Sequence, residues 1–371
     1  MPRAHIVIES PIQSSFRVEQ VKGMFDVPDS QTIQHEWNVN LPIEDKPWQI
    51  GLIVGPSGSG KTTIGRQLFP DAYFHEQYEW PEKKSILDGF PGHFDGKTIT
   101  QTLSSVGFSS PPHWLKPFQH LSNGQKFRCE LARTMLEDTD VVIFDEFTSV
   151  VDRDAAKVSS AAVAKALRKR KAPKLIALSC HYDICDWLSP DWVFDTANES
   201  FSWRLLQQRP PITLEIHKAD SRTWEMFRGH HYLSRSFNRT AIAFVATWNG
   251  TPVGFTSILP SIGWVGVRRE HRTVVLPDFQ GVGIGNAISE WLGSYCKSQG
   301  WRFTSSTSHP AMIRHRVKSE KWVVSRVGRH NKQNTKATRT SSANRITAAC
   351  EYVGPMLAKT TLQAASQAAS N

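Results

Sequence analysis

Cysteine is sparse in this chain. Its five residues, Cys129, Cys180, Cys185, Cys296 and Cys350, are scattered and form no Cys-x-x-Cys pair. That argues against a disulfide framework or a zinc site and predicts reduced thiols. No apolar run reaches the roughly 18 residues a membrane-spanning helix needs. The opening MPRAHIVIES has no signal-peptide core, so a cytoplasmic location is expected. Acidic residues are short in one half only. Residues 212–371 hold 21 Lys and Arg against 8 Asp and Glu, a balance of +13, whereas residues 1–211 hold 23 against 26, or −3. A basic half beside a near-neutral one points to an anionic partner, nucleic acid first and a membrane surface second.

What is present supports two folded domains: 371 residues, 39% apolar, with thirteen Trp. Short apolar strands, Ile50–Val54, Val141–Phe144 and Lys174–Ser179, alternate with helical segments at Thr62–Phe69, Asn123–Glu137 and Ala155–Lys171. This alternation predicts a parallel α/β sheet. A stretch broken by Pro and Gly runs from Pro81 to Pro117, and the segment Gln207–Pro211 reads as a linker. Beyond it a helix is expected at Ser221–Phe227 and strands at Ala241–Trp248 and Pro252–Leu259, with a longer one ending at Leu276. A helix at Gly283–Gln299 and strands at Trp301–Ser305, Trp322–Val327 and Arg345–Val353 follow. Residues 329–344 are expected to be a mobile basic loop and 357–371 a disordered tail.

Two glycine loops stand about 220 residues apart. In the first, Gly55, Pro56, Ser57, Gly58, Ser59, Gly60, Lys61 and Thr62, with Thr63 after them, complete a Walker A pattern between a strand and a helix. Its backbone N–H groups would cradle phosphate, Lys61 would reach the β- and γ-phosphates of ATP, and Thr62 would bind Mg²⁺. The strand Val141–Phe144 leads into Asp145 and Glu146, a Walker B arrangement. Asp145 would hold the metal, and Glu146 would orient or deprotonate the attacking water.

The segment Leu121-Ser122-Asn123-Gly124-Gln125 resembles the signature motif of ABC-type ATPases, with Asn123 where Gly is usual. Asp152, seven residues after Asp145, is similar to the family's D-loop aspartate, and His181 to its switch histidine. The resemblance covers roughly residues 12–208, within a domain expected over 1–208. It implies a nucleotide sandwich in which Lys61, Asp145, Glu146 and His181 of one protomer face Ser122 and Gly124 of another across ATP, with Gln125 among the nucleotide-binding residues. With one copy of each motif, a homodimer follows. The Q-loop residue could be Gln77 or Asp88, and the adenine-stacking aromatic Phe25 or Trp37.

In the second loop, Gln280, Gly281, Val282, Gly283, Ile284 and Gly285 follow the strand end Val274-Val275-Leu276 and open an amphipathic helix. Backbone donors at a helix N-terminus suit a pyrophosphate. A Rossmann dinucleotide turn is the rival reading. The spacing Q-x-x-G-x-G resembles instead the acetyl-CoA motif of GNAT-type acyltransferases. It implies a mixed-sheet domain over 209–356, an acyl-CoA donor, and a strand at Val275 and Leu276 splayed from its neighbour. The catalytic Tyr of many family members would fall at Val317 and is absent. Ser308, His309 and His315 are candidate acids, and Glu270 and His271 candidate bases.

Trp224–Ser234 and Ser306–Trp322 resemble segments of Mom-type phage DNA-modifying acyltransferases. Within the first, His230-His231-Tyr232 is either an acceptor pocket or a helix-end surface. The cations Arg268, Arg269, Arg272, Arg314, Arg316, Lys318, Lys321, Arg326 and Arg329, with Lys332, Lys336 and Arg339 in the loop, are interleaved with Trp264, Trp301 and Trp322, as stacking on unpaired bases would require. The resulting expectation is an ATP-hydrolysing N-acyltransferase acting on nucleic acid, DNA over RNA. The alternatives are an ATP-regulated protein or small-molecule acetyltransferase, and a DNA-binding ATPase whose GNAT fold only docks.

Overall fold

A computed structural model describes residues 3–11, 13–25, 32–170, 173–204, 210–231, 236–329 and 346–357. Most of the expected linker, nearly all of the basic loop, and the tail from residue 358 lie outside these described residues. So do Tyr232, Lys332, Lys336 and Arg339.

In chain order the elements begin with β1 (Arg3–Pro11), α1 (Phe16–Phe25), β2 (Thr32–Asn40), β3 (Ile50–Val54), α2 (Lys61–Leu68) and β4 (Tyr73–His75). Then come α3 (Gly96–Ser105), α4 (Pro111–Trp114), α5 (Asn123–Thr134), β5 (Val141–Phe144), α6 (Arg153–Arg170) and β6 (Lys174–Ser179). Next are α7 (Cys185–Leu188), β7 (Trp192–Asp195), β8 (Ser200–Trp203), β9 (Glu215–Ala219), α8 (Trp224–Phe227), β10 (Ile242–Trp248) and β11 (Thr251–Pro260). The last are β12 (Val267–Val275), α9 (Ile284–Ser298), β13 (Arg302–Thr307), α10 (Pro310–Lys318), β14 (Trp322–Arg329) and β15 (Ile346–Tyr352).

These divide into two compact units. The first comprises Met1–Tyr78, Arg133–Val151 and Val163–Arg209; the second comprises Glu79–Ala132, Asp152–Ala162 and Pro210–Asn371. The first unit holds a six-stranded sheet in the order β4-β5-β6-β3-β7-β8, parallel except for the β7–β8 pair. All five residues of β3 are buried, as a central parallel strand covered on both faces requires. Ile53, Ile64, Ile143, Ile176, Leu178 and Phe194 pack into its core. Gly51 is needed there, because a Cβ would stand 2.0 Å from the Trp192 ring. Strands β1 and β2 form a separate antiparallel pair.

The second unit holds a seven-stranded sheet in the order β14-β15-β13-β12-β11-β10-β9. Its one parallel pair among the described strands is β12–β13, linked by the crossover helix α9. The two strands pair only over Val267–Arg269 and Arg302–Thr304. Beyond that, β12 continues against β11, and β13 against β15, so a notch opens between them. Helix α9 buries Ile284, Ile288, Leu292 and Cys296, one per turn, against this sheet. Gly254 makes room for it, since a Cβ there would meet Ile288 Cδ1 at 2.5 Å.

Elements α1, α3, α4, α7, α10, β4, β7 and β8 have no counterpart among the segments expected from the sequence. Helix α1 buries no residue, so it carries no core-facing periodicity to read. Helix α3 lies inside the Pro- and Gly-rich stretch, started by Asp95 accepting from the Thr98 N–H at 2.8 Å. The helix expected at 221–227 is a 3₁₀ turn, Ser221–Thr223, leading into the single turn α8.

Candidate active sites

In the first unit, β3, β6 and β5 are adjacent and parallel, and their C-terminal ends carry the Walker A loop, His181 and the Asp145-Glu146 pair respectively. Ligands gather at this edge of an open α/β sheet. Thr62 Oγ1 donates to Asp145 Oδ2 at 2.7 Å, which brings together two oxygen ligands of the type Mg²⁺ takes. Lys61 Nζ donates to the carbonyls of Gly55 and Pro56 at 2.9 and 2.6 Å, so its ammonium lies within the loop. Burial pulls its pKa down, while the charges of Cys180, Asp145 and Glu146 oppose that shift. Gly60, at φ 78°, opens α2 without a side-chain cap, leaving that helix's first amides to the loop.

Glu146 sits at φ 49°, a left-handed position for a non-glycine residue. The Ser149 hydroxyl donates to its carbonyl at 2.8 Å. Such strain collects at functional sites. The His181 N–H donates to Ser179 Oγ at 3.1 Å. Gln77 lies two residues past β4, whose last residue, His75, pairs with Phe144, the residue before Asp145. Asp88, by contrast, is bonded to Ser85 in the second unit. Trp37 is not an open platform for adenine: it is buried, and a Cβ on Gly60 would stand 2.6 Å from its ring. Phe25 is exposed.

The signature segment belongs to the second unit and is itself a helix start. The Ser122 N–H donates to Gln125 Oε1 at 3.2 Å and the Gln125 N–H to Ser122 Oγ at 3.4 Å, a capping box that opens α5. Asp152 Oδ1 accepts from the Asp154 N–H at 3.0 Å and so caps α6.

The second glycine loop follows β12 through a 3₁₀ turn, Pro277–Phe279. Leu276 is partly buried, and its N–H donates to the Val253 carbonyl at 2.9 Å. Gly281 and Gly283 have φ of 92° and 102°, values only glycine adopts readily. Gly283 opens α9 with no side-chain cap, and a Cβ on it would meet nothing within 4 Å. Val282, Ile284 and Gly285 thus lie at an uncapped helix start beside the open space at Gly283, which suits a pyrophosphate. Asn286 Oδ1, in the first turn of α9, is buried without a hydrogen-bond partner among the described residues.

The acid and base candidates separate sharply. His309 precedes α10; burial lowers its pKa against a hydrogen bond with the Ser109 backbone. Its Nδ1 is buried and unpartnered among the described residues. His315 pairs with Glu290 at 2.7 Å. His271 occupies a bulge in β12, where Ser257 faces Arg272 and Ile258 faces Glu270. Glu270 is not an open base. It is bound by Ser305, by Thr273 at 2.5 Å and by Arg316 at 3.0 Å. Burial raises its pKa, but Arg316 and these hydrogen bonds outweigh that and hold it below the usual carboxylate range.

The same contacts correct the reading of the cations. Arg316 is wholly buried, stacked 4.2 Å over Trp322 and bonded to Ser305, Ser289 and Glu270, so it faces no external phosphate. Arg268 lies 4.2 Å over Trp301, Lys321 pairs with Glu290, and Trp322 is core. Of the three tryptophans singled out, Trp264 is the exposed one, at 67%. The pair Glu270–Arg316 was not foreseen: 46 residues separate its members, and no local signal links them. No cluster of His, Cys, Asp or Glu among the described residues could hold a metal ion by itself. No described helix is long and apolar enough to cross a membrane.

A family model described as Acetyltransferase (GNAT) family matches residues 183–313. A probable metal transport system ATP-binding protein from Thermotoga maritima is 30% identical over 165 residues, covering 38% of this chain and 67% of that protein. An uncharacterized ABC transporter ATP-binding protein from Haemophilus influenzae is 44% identical over 145 residues, and 58% of its length is covered. The crystal structure of the ribosomal-protein-S18-alanine N-acetyltransferase from Escherichia coli matches 40% of this chain and 97% of its own at 16% identity. Its TM-score of 0.31 is too low to bear on function. By its ATPase half the chain belongs to the ABC-type ATP-binding proteins, and it carries a GNAT-family acetyltransferase domain fused to that half.

Proposed function

We propose that this protein hydrolyses ATP as a homodimer and transfers an acyl group from acyl-CoA to an amine on a nucleic-acid base, with DNA favoured over RNA. The observation that carries the acyl-transfer reading is the uncapped start of α9 at Gly283, with open space in front of it and a notch between β12 and β13 beside it. Acyl-CoA would lay its pyrophosphate on the amides of Gly281–Gly285 and its thioester along the notch. The acceptor amine attacks the thioester carbonyl, the C–S bond breaks, and the thiolate leaves. His309, expected as an acid but kept neutral by burial, would instead take the proton from the amine. Glu270, already held by Arg316, fixes the wall of the notch instead of moving a proton.

In the ATPase half, Thr62 and Asp145 would hold Mg²⁺ and Lys61 the terminal phosphates. Glu146 would orient the attacking water, and His181 would face the γ-phosphate. Ser122, Gly124 and Gln125 would come from the second protomer. The nucleic-acid acceptor is supported by the +13 balance of residues 212–371 and by exposed Trp264, five residues before Arg269 in sequence. A base within a duplex must be flipped or unpaired before it can react.

The test is to express the protein, digest host DNA and RNA to nucleosides, and search both by mass spectrometry. A new nucleoside that disappears with Gly283→Glu supports the reading. Unmodified nucleic acid alongside acetylated protein replaces it with protein acetylation. A monomeric Glu146→Gln variant at saturating ATP would overturn the dimer.

A further inference from the structure

The acyl-donor loop is built on by residues far from it in sequence. Gly107, just past α3, has φ 90°, and a Cβ on it would stand 2.8 Å from the Gln280 carbonyl oxygen. A Cβ on Gly281 would in turn stand 2.7 Å from the Gly107 Cα. Two stretches of backbone therefore touch where neither admits a side chain. The Ser109 N–H donates to Gln280 Oε1 at 2.9 Å, and Gln280 Nε2 donates to the Val275 carbonyl at 2.9 Å. Gln280 thereby ties the segment after α3 to the end of β12.

A second grip comes from α5. Arg128 is wholly buried, yet all three of its guanidinium nitrogens are bonded. Nε donates to Ser159 Oγ at 3.1 Å, Nη1 to Asp278 Oδ1 at 3.1 Å and Nη2 to the Asp278 carbonyl at 2.9 Å. Two of these bonds hold the turn Pro277–Phe279 that delivers the chain into the loop. The Asp278 side chain is 46% exposed, so its carboxylate does not fill core. Its Oδ1 lies 2.8 Å from where a Cβ on Gly124 would be, which brings the signature segment against the same turn. An arginine is costly to bury, and one spent on a loop turn needs a reason beyond packing.

We propose that Arg128 is a positioning residue for the acyl donor. By gripping Asp278 through both side chain and backbone, it sets the loop Gln280–Gly285 so that the amides at the start of α9 converge on the acyl-CoA pyrophosphate. This rests on the acyl-CoA reading of that loop. Because Ser122 caps the helix that carries Arg128, one helix bears both the signature serine and the clamp on the acyl-donor loop.

The test is calorimetric titration of the full chain with acetyl-CoA and, separately, with ATP. Arg128→Met, which keeps length and bulk, weakens acetyl-CoA binding about tenfold or more, and Arg128→Lys recovers part of the loss. Asp278→Asn weakens it several-fold, and Gly107→Ala about tenfold by pushing on Gln280. ATP affinity stays within twofold in all four. A merely structural role would lower the melting temperature without changing the affinity of the folded protein. Asp278→Asn carries the test if Arg128→Met does not fold, since Asp278 is half exposed. The proposal is overturned if Asp278→Asn and Arg128→Lys bind acetyl-CoA within twofold of wild type while Gly283→Glu abolishes binding. If the wild-type chain binds no acetyl-CoA, the reading of the loop itself falls, and the proposal with it.

Discussion

Two glycine loops in this protein share a shape and differ in their neighbours. Each ends in a left-handed glycine that opens a helix without a side-chain cap, Gly60 before α2 and Gly283 before α9. The first carries its own chemistry: Lys61 lies within the loop, and Thr62 is bonded directly to Asp145. The second carries none. Its shape is held from outside, by Gly107, Ser109 and Arg128, and the buried carboxylate on the strand before it, Glu270, is already neutralised by Arg316. A loop that must bind and polarise a γ-phosphate needs charge in place. One that only anchors a pyrophosphate needs converging amides and room.

That contrast can be broken in order of expected effect. Glu146→Gln should lower ATP hydrolysis about 10³-fold, within the range for losing a catalytic base, while acetyl-CoA affinity stays unchanged. A steady-state phosphate-release assay beside calorimetry checks both. Glu270→Gln leaves Arg316 buried without a counter-charge and should cost about 3 kcal/mol of stability. A urea midpoint unchanged from wild type would show that the pair does not hold the notch. Gly283→Glu puts a carboxylate and a disfavoured φ where the pyrophosphate would lie. It should weaken acetyl-CoA binding about 100-fold, or about 2.7 kcal/mol, with ATP binding intact.

Between pH 7 and pH 5 the smallest effect comes from one buried imidazole in each unit. Burial, aided by Arg133, lowers His75 to about 4, and burial, aided by Lys116 and His230, lowers His113 to about 4. Both folded values lie below the ordinary 6.5, so the unfolded chain binds more protons between them. The stabilisation is full above pH 6.5 and is lost as pH falls towards 4, by up to about 1.4 kcal/mol per pH unit for each ring. Urea midpoints at pH 7 and pH 5 should fall together for the two units. His113→Asn should flatten the dependence of the second unit alone.

Much of the first candidate site is legible in the sequence because its signals are local. The Walker A spacing, the apolar run before Asp145, and the Ser122-to-Gln125 interval each act within one turn or one strand end. The second loop was legible by its glycines and by the apolar period of α9. Its surroundings were not. Arg316 reads as one more surface cation, and Trp322 as a stacking platform, until the fold buries both beside Glu270. Trp37 likewise reads as an adenine platform until Gly60 is found packed against it.

The sequence by itself determined the two glycine loops, the strand before and the helix after each, and the concentration of positive charge in the second half. Each depends on residue type at short spacing, where backbone geometry leaves little choice. Tertiary structure alone decided which charges are free and which are spent. It placed Arg128 on Asp278 across 150 residues and Arg316 on Glu270 across 46. A buried charge takes whatever partner the packing brings within hydrogen-bond reach, and packing is a property of the whole fold.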